Sequence, residues 1–242
     1  MRHHQLIVAV PARDEVDTIA RCIRSIDRAA AEVPVPVLLV IAADSCTDGT
    51  FEAACAAETE FCDLVVVKGK WGRAGAARAA AVRHGMRHLP ADNGPLWIAN
   101  TDADCVVPPQ WLRVQLELAG EHDVVAGIVD LDQLTTSPPM FEAFTSTYPL
   151  DGDNHTHVHG ANIGVCAGAY LAVGGWCSRT VVGEDHVLWN AIKELGHRMR
   201  QTTVLRVVTS ARTRSRVIGG FATDLSKIDP ESSAVADLSI AS

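Results

Sequence analysis

The feature that most constrains the fold is a regular alternation, over residues 5–130, of short apolar runs with longer segments that repeat at helical spacing. The apolar runs are rich in Val, Ile and Leu, as buried strands are. They cover residues 6–10, 35–42, 64–67, 96–100 and 124–129, and helical patterns cover 15–31, 51–57, 74–87 and 109–119. Because short strand–helix–strand connections place the strands parallel, this order predicts an α/β fold with a doubly wound, mainly parallel sheet and helices on both faces.

The regular alternation of strand and helix patterns ends after residue 130. Residues 135–156 contain prolines, polar residues and three aromatic side chains, which predicts a loop with a short helix. Helices are predicted over 167–173 and 184–195, and a last strand over 203–208. We expect one domain over residues 1–228, followed by a weakly patterned tail over 229–242.

The acidic balance of the chain limits its ligands. The formal net charge is −8, whereas a nucleic-acid-binding domain usually presents a basic face, so no nucleic-acid partner is expected. The seven cysteines are an odd number without a Cys-x-x-Cys pair, which argues against a zinc knuckle or a disulfide framework. No apolar run is long enough for a signal peptide or for crossing a bilayer. The prediction is a cytoplasmic protein without a transmembrane segment.

Polar residues collect where the predicted strands end, which is where ligands bind in open parallel sheets. Asp102-Ala103-Asp104 follows the fourth strand. Its hard carboxylate oxygens suit Mg²⁺ or Mn²⁺, although such a pattern by itself is more often a solvated turn. Asp44 ends the second strand, where it could accept bonds from a nucleobase or a ribose, and Glu15 follows the first. Asp48 and Thr50 fit a turn and a helix cap.

Two basic segments each allow two interpretations. The loop over residues 68–78, which contains Arg73 and Arg78, is punctuated by glycines and enters a predicted helix. It could meet a diphosphate or be a solvated surface loop. The segment 209–216 carries three arginines at alternate positions, which could clamp a phosphate or be an ordinary basic loop.

The acidic and histidine clusters in the second half of the chain also allow more than one interpretation. Glu184 and Asp185 begin a predicted helix, either as partners of its dipole or with one of them as a general base. Alternating His155, His157 and His159 would share one face of an extended segment. A zinc site there is conceivable, but the further ligands that it needs do not follow nearby.

The order of these motifs is more specific than any one of them. Pro-Ala-Arg-Asp-Glu follows the first strand and Asp-Ser-Cys-Thr-Asp-Gly-Thr the second; then come a Gly-x-x-x-Arg loop, Thr-Asp-Ala-Asp, His-Gly-Ala-Asn, Gly-Gly-Trp and Gly-Glu-Asp. Over residues 5–215 this set resembles family 2 glycosyltransferases of the GT-A fold. The resemblance implies a GT-A-type domain with a nucleotide-binding half over residues 1–130 and an acceptor half over 131–228.

The resemblance also implies a role for each matching residue. Asp104 and Asp102 would form the metal site, with Asp102 touching the donor ribose or a metal-bound water. Asp185 would be the catalytic base that deprotonates the acceptor hydroxyl. The nucleotide-binding positions would be Pro11, Ala12, Arg13, Glu15, Asp44, Arg73, Arg78 and Asp102. The acceptor side would comprise His159, Gly160, Ala161, Asn162, Gly175, Trp176 and Glu184.

The implied reaction is inverting, with Mn²⁺ or Mg²⁺ as cofactor. It would move a sugar from a UDP-, GDP- or dTDP-linked donor to a hydroxyl of a small-molecule or lipid-head acceptor. A homodimer is among the expected assemblies. The chain departs from the family pattern twice: the usual Asp-Asp before the second turn reads Ala43-Asp44, and segment 209–216 offers arginines but no histidine to complete a metal site.

Two other classes of protein remain open at this point. A sugar-phosphate nucleotidyltransferase would also use Asp and Mg²⁺ in an α/β sheet, but it normally has a Gly-rich, basic loop where this chain has residues 11–15. A non-catalytic sugar-nucleotide-binding protein on the same fold would bind donor without turnover. The presence of Asp185 speaks against this second class.

Overall fold

The computed structural model describes residues 5–89, 94–133, 136–180 and 182–210. Within these ranges eight strands form one sheet in the order β3-β2-β1-β4-β7-β6-β8-β5. The strands are β1 (Gln5–Ala12), β2 (Val37–Asp44), β3 (Asp63–Gly69), β4 (Leu96–Asn100), β5 (Cys105–Val106), β6 (Val124–Leu131), β7 (Ile163–Cys166) and β8 (Met199–Thr209). Only β7 and β5 run against the others, which confirms the mainly parallel sheet.

Helices cover both faces of the sheet, as predicted. They are α1 (Ile19–Ala30), α2 (Thr50–Cys55), α3 (Ala74–His88), α4 (Trp111–Leu118), α5 (Pro138–Thr147), α6 (Ala167–Ala172) and α7 (Glu184–Glu194), and a 3₁₀ turn spans Gly160–Asn162. One apolar cluster joins the sheet to α1 and α4, and a second joins the opposite face to α3, α6 and α7. Because successive strand side chains alternate in direction, Leu6 and Val8 enter the first cluster while Ile7 and Ala9 enter the second.

Three details differ from the sequence prediction. The first helix begins at Ile19 rather than at residue 15, because residues 15–18 form a turn in which Thr18 N–H is bonded to Glu15 O. The last strand begins at Met199, four residues before the predicted start. The antiparallel β5 and β7 were not predicted, since they are only two and four residues long.

The antiparallel β7 lies between β4 and β6 and so joins the two halves of the sheet. Gly164 is required in it, since a Cβ there would lie 2.2 Å from Oε1 of Gln115, which binds the Trp97 indole N–H. None of the described helices is both long enough and apolar enough to cross a membrane. All seven cysteines are unpaired in the structure.

Candidate active site

The polar residues singled out in the sequence gather at the carboxyl ends of the parallel strands. Asp102 and Asp104 lie in the turn after β4, which is closed by a 3.0 Å bond from Cys105 N–H to Asp102 O. The half-buried Asp104 carboxylate accepts a bond of 3.2 Å from Ser210 Oγ, just beyond the end of β8. The two carboxylates therefore sit where β4, β5 and β8 meet.

A buried arginine connects this turn to the second half of the chain. Arg78 extends from α3, and its side chain is only 4% exposed. One end of its guanidinium is paired with Asp102, and Nη1 donates to Glu184 Oε1 at 2.6 Å. The guanidinium also lies over the Trp176 ring, 5.0 Å from its centroid. Burial alone would lower the pKa of Arg78, but the charges of Asp102 and Glu184 raise the pKa by a larger amount. The net pKa lies above the ordinary value, so the guanidinium stays charged.

The carboxylates around Arg78 create a local excess of negative charge. Burial raises the pKa of Asp102; Arg78 opposes this change, and the neighbouring charge of Asp104 adds to it. Burial raises the pKa of the Cys22 thiol on α1, and the charges of the same two aspartates raise it further. A bound cation would relieve this repulsion, and hard carboxylate oxygens are the ligands that Mg²⁺ and Mn²⁺ prefer.

The turn at Gly160 brings the catalytic-base candidate to the other side of Arg78. Gly160 N–H donates to Asp185 Oδ2 at 3.0 Å, and the Oδ1 atom accepts from His186 N–H at 2.8 Å. A Cβ on Gly160 would lie 2.5 Å from Nη1 of Arg78, so only glycine allows this approach. Arg78 thus bridges Asp102 and Glu184, and Asp185 follows Glu184 directly in the sequence.

The loops after β1, β2 and β3 are tied into one rigid wall. Asp14 Oδ1 accepts from both the N–H and the hydroxyl of Thr47, at 2.7 and 3.1 Å. Thr50 Oγ1 accepts from Glu15 N–H at 2.6 Å. Asp14 and Ser45 have positive φ angles of 51° and 56°, which are uncommon outside glycine and mark a preorganised loop.

Asp44 and Arg73 both have contacts within the protein. Asp44 is 3% exposed, and its Oδ1 accepts from Trp71 N–H at 2.7 Å. It thus fixes the loop after β3, a structural role that stands beside the proposed nucleobase contact. Arg73 donates to Arg179 O at 2.8 Å and so links that loop to the segment before α7.

One protein family matches the sequence of this chain. The model of glycosyl transferase family 2 matches residues 7–170, more than half of the chain. The chain belongs to this family. A search of curated proteins finds no significant match.

Solved structures share the GT-A fold of family 2. The S. aureus TarS fragment 1–349 in complex with UDP-GlcNAc aligns over 93% of this chain and 64% of its own, with a TM-score of 0.63 and 14% identity. The mannosyltransferase PcManGT from Pyrobaculum calidifontis, in complex with GDP-Man and Mn²⁺, aligns over 89% and 59%, with a TM-score of 0.59 and 18% identity. This family 2 chain thus spans about 60% of the length of these structures, and at such low identity they show the fold alone.

Several residues of this family 2 chain that were predicted on the acceptor side are buried, and their hydrogen bonds join the elements around the site. Asn162 is fully buried; its Nδ2 donates to Ile128 O and Leu205 O, and its Oδ1 accepts from the Trp111 indole N–H. Trp176 is 3% exposed and donates to the Asn100 side chain at 3.1 Å. Ala161 is buried in the core, and Gly175 has a positive φ of 76°.

The remaining predicted residues fall into two groups. Pro11 and Ala12 are the last two residues of β1, and Arg13 follows it; Ala12 is buried, Pro11 is partly exposed and Arg13 is exposed. The histidines at 155–159 do stack on one another along one side. However, no group of three or more His, Cys, Asp or Glu side chains within the described ranges is arranged to hold a metal, so the zinc site is not supported. Arg212, Arg214, Arg216 and the tail lie outside the described residues.

Sequence reasoning missed three contributors to the site. The Pro-Ala-Arg-Asp-Glu motif predicts no role for Asp14, although this residue ties the loops after β1 and β2 together. Asn100 was assigned only to a strand, but it holds both Trp176 and β7. Tyr148 was noted only as an aromatic residue, although its hydroxyl reaches His159. A polar residue at the end of an apolar strand is the one signal that could have revealed Asn100.

Proposed function

We propose that this chain is an inverting, metal-dependent glycosyltransferase that moves a sugar from a nucleotide-sugar donor to a hydroxyl acceptor. The observation that carries the proposal is the double contact of buried Arg78. It joins Asp102, in the metal-binding turn, to Glu184, the neighbour of Asp185. The leaving diphosphate and the attacking hydroxyl need groups on opposite sides of the anomeric carbon, and we assign the turn after β4 to the first and Asp185 to the second.

The donor would lie along the ends of β1, β2 and β4. The wall formed by residues 11–15 and Asp44 would hold the nucleoside, and Arg73 would face the diphosphate. Buried Arg78 would hold Asp102 and Glu184 in place beside it. Similar folds have been solved with GDP-Man, UDP and UDP-GlcNAc, which supports a donor of this chemical class here. Cations at such positions neutralise phosphate charge, as the net charge of −8 requires of any site for a polyanion.

The residues of the turn after β4 fit a divalent metal by their chemistry. Asp104 is the proposed ligand, and Asp102 contributes a second carboxylate or holds a metal-bound water. The pKa of Asp102 is raised by burial and then by the charge of Asp104, a repulsion that a cation would remove. Bound Mn²⁺ or Mg²⁺ would neutralise charge that grows on the leaving diphosphate.

Asp185 is the proposed general base. Its carboxylate is oriented by N–H donors from Gly160 and His186, and a carboxylate has further lone pairs that can take the proton of an acceptor hydroxyl. Attack by that hydroxyl from the face opposite the diphosphate forms the new glycosidic bond as the old bond breaks. A single displacement of this kind inverts the anomeric carbon.

A donor screen tests the proposal. Purified protein is incubated with UDP-, GDP- and dTDP-sugars and a mixture of hydroxyl acceptors, with Mn²⁺ or with EDTA, and release of nucleoside diphosphate is measured. We expect release with at least one donor, at least about 10-fold faster with Mn²⁺ than with EDTA and restored when Mn²⁺ is added back.

Other outcomes of the same screen would favour other functions. Release of pyrophosphate from a nucleoside triphosphate and a sugar phosphate would indicate a nucleotidyltransferase. Calorimetric donor binding without transfer or hydrolysis across all acceptors would indicate a sugar-nucleotide-binding protein. The small-molecule or lipid-head acceptor, the homodimer, the cytoplasmic location and the domain limits 1–228 stay predictions from the sequence.

A further inference from the structure

Tyr148 is anchored in the acceptor half by contacts on three sides. It follows α5, and its hydroxyl accepts from Val129 N–H in β6 at 3.3 Å. The same oxygen lies 2.8 Å from Nε2 of His159. The Tyr148 ring stacks on His157 with centroids 3.7 Å apart and planes 5° from parallel, and on Phe144 at 4.9 Å. These contacts leave the hydroxyl little freedom to move.

The residue that Tyr148 reaches is next to the donor that orients the proposed base. His159 immediately precedes Gly160, whose N–H is bonded to Asp185 Oδ2. The carbonyl of His159 accepts from Asn162 N–H at 2.9 Å and closes the 3₁₀ turn. Since Asn162 is buried and bonded to β6, β8 and α4, one end of the turn is fixed by the core. Tyr148 fixes the other end.

The Tyr148–His159 contact can form with either tautomer of a neutral imidazole. The Tyr148 oxygen accepts from Val129 N–H and keeps its own proton, which it can donate to His159 Nε2 when the imidazole proton is on Nδ1. Burial, followed by the charges of the other histidines, lowers the pKa of His159 to about 4. The titratable and charged groups that act on the pair are His155, His157, His186, Asp130 and Arg206.

We propose that Tyr148 and His159 are positioning residues that hold Gly160 N–H against Asp185 and thereby aim the base at the acceptor hydroxyl. This proposal rests on the proposed function. A hydrogen bond from side chain to side chain connects Tyr148, which follows α5, to His159, and the backbone N–H of the next residue, Gly160, is bonded to Asp185. The contacts of Tyr148 are with β6, α5, His157 and His159, and we therefore expect its substitution to affect the chemical step more than donor binding.

Tyr148→Phe tests the proposal because it keeps the stacked ring and removes only the hydroxyl. We expect kcat to fall about 10-fold while the KM for the donor changes less than about twofold, since a misplaced base affects the chemical step. His159→Gln retains an oxygen that can accept the tyrosine proton, and it should keep kcat within about threefold of the unmodified protein. His159→Ala should behave like Tyr148→Phe.

Tyr170→Phe is the matched control, because Tyr170 is the only other tyrosine and its buried hydroxyl accepts from Trp176 N–H. It should leave kcat within about twofold of the unmodified protein. Histidine NMR gives a readout that needs no activity. In Tyr148→Phe the ¹⁵N chemical shift of His159 Nε2 should change, since this ring nitrogen loses its hydrogen-bond partner.

The possible results separate this proposal from the proposed function. An unmodified protein that transfers no sugar, while the NMR shift appears as expected, would overturn the function and leave the contact intact. An active protein in which Asp185→Asn is inactive but Tyr148→Phe has normal kcat would overturn the positioning role. An unchanged ¹⁵N chemical shift of His159 Nε2 in Tyr148→Phe would overturn the hydrogen bond itself.

Discussion

Arg78→Met should lower the free energy of unfolding by about 3 kcal/mol, because it leaves two carboxylates in a partly dry site without their cation. The Glu184 side chain is only 13% exposed, so its charge becomes costly. The Asp102 side chain is 36% exposed, so water screens its charge. The expected loss of stability therefore lies at the lower end of the range found when one partner of a buried ion pair is removed. Methionine retains a flexible apolar stem over Trp176. Urea denaturation followed by circular dichroism measures the change.

Arg83→Met is the control for this substitution, since Arg83 is exposed on the same helix. It should change stability by no more than about 0.5 kcal/mol. Adding Glu184→Gln to Arg78→Met removes one uncompensated charge and should recover about 1 kcal/mol or more. If Arg78→Met lay within the error of the unmodified protein, Arg78 could not be the cation that joins the two halves of the site.

Asp185→Asn should lower kcat about 1000-fold, which is within the range that a positioned general base contributes. The amide is nearly isosteric and can still accept from Gly160 N–H through its oxygen, so the turn should stay in place. Donor KM should change less than about threefold, because the proposed role of Asp185 is in the chemical step and not in donor binding. Initial rates with the donor found in the screen give both constants.

Asp63→Asn is the matched control, because Asp63 is exposed at the start of β3, at the opposite edge of the sheet. Its kcat and KM should both equal those of the unmodified protein within about twofold. A kcat for Asp185→Asn within about 10-fold of the unmodified value would assign the base to another group.

The sheet was largely predictable because each of its longer parallel strands has a local sequence pattern. The strand at 96–100 was placed without error, and the helix at 74–87 within one residue. Each buried strand reads as an uninterrupted apolar run, and each connection is short. Since the strand ends share one edge, the sequence also predicted that Asp44 and Asp102 would lie on the same side of the sheet.

Contacts between distant segments could not be predicted in this way. Arg78 and Glu184 are 106 residues apart in the sequence, and nothing in either segment specifies the other. The reversal of β7 depends on its pairing with β4 and β6, since its four residues carry no pattern of their own. The buried state of Asn162 was likewise invisible, because its three partners come from separate elements.

The central claim is that the turn after β4 binds the nucleotide donor through a metal while Asp185 serves only the chemical step. Calorimetric titration of a nucleotide sugar in Mn²⁺ tests it most directly with Asp104→Asn, Asp185→Asn and the unmodified protein. Asp185→Asn should bind the donor like the unmodified protein, and Asp104→Asn should bind about 100-fold more weakly or not at all. Donor binding by Asp104→Asn that is as tight, and as dependent on Mn²⁺, as that of the unmodified protein would contradict the account.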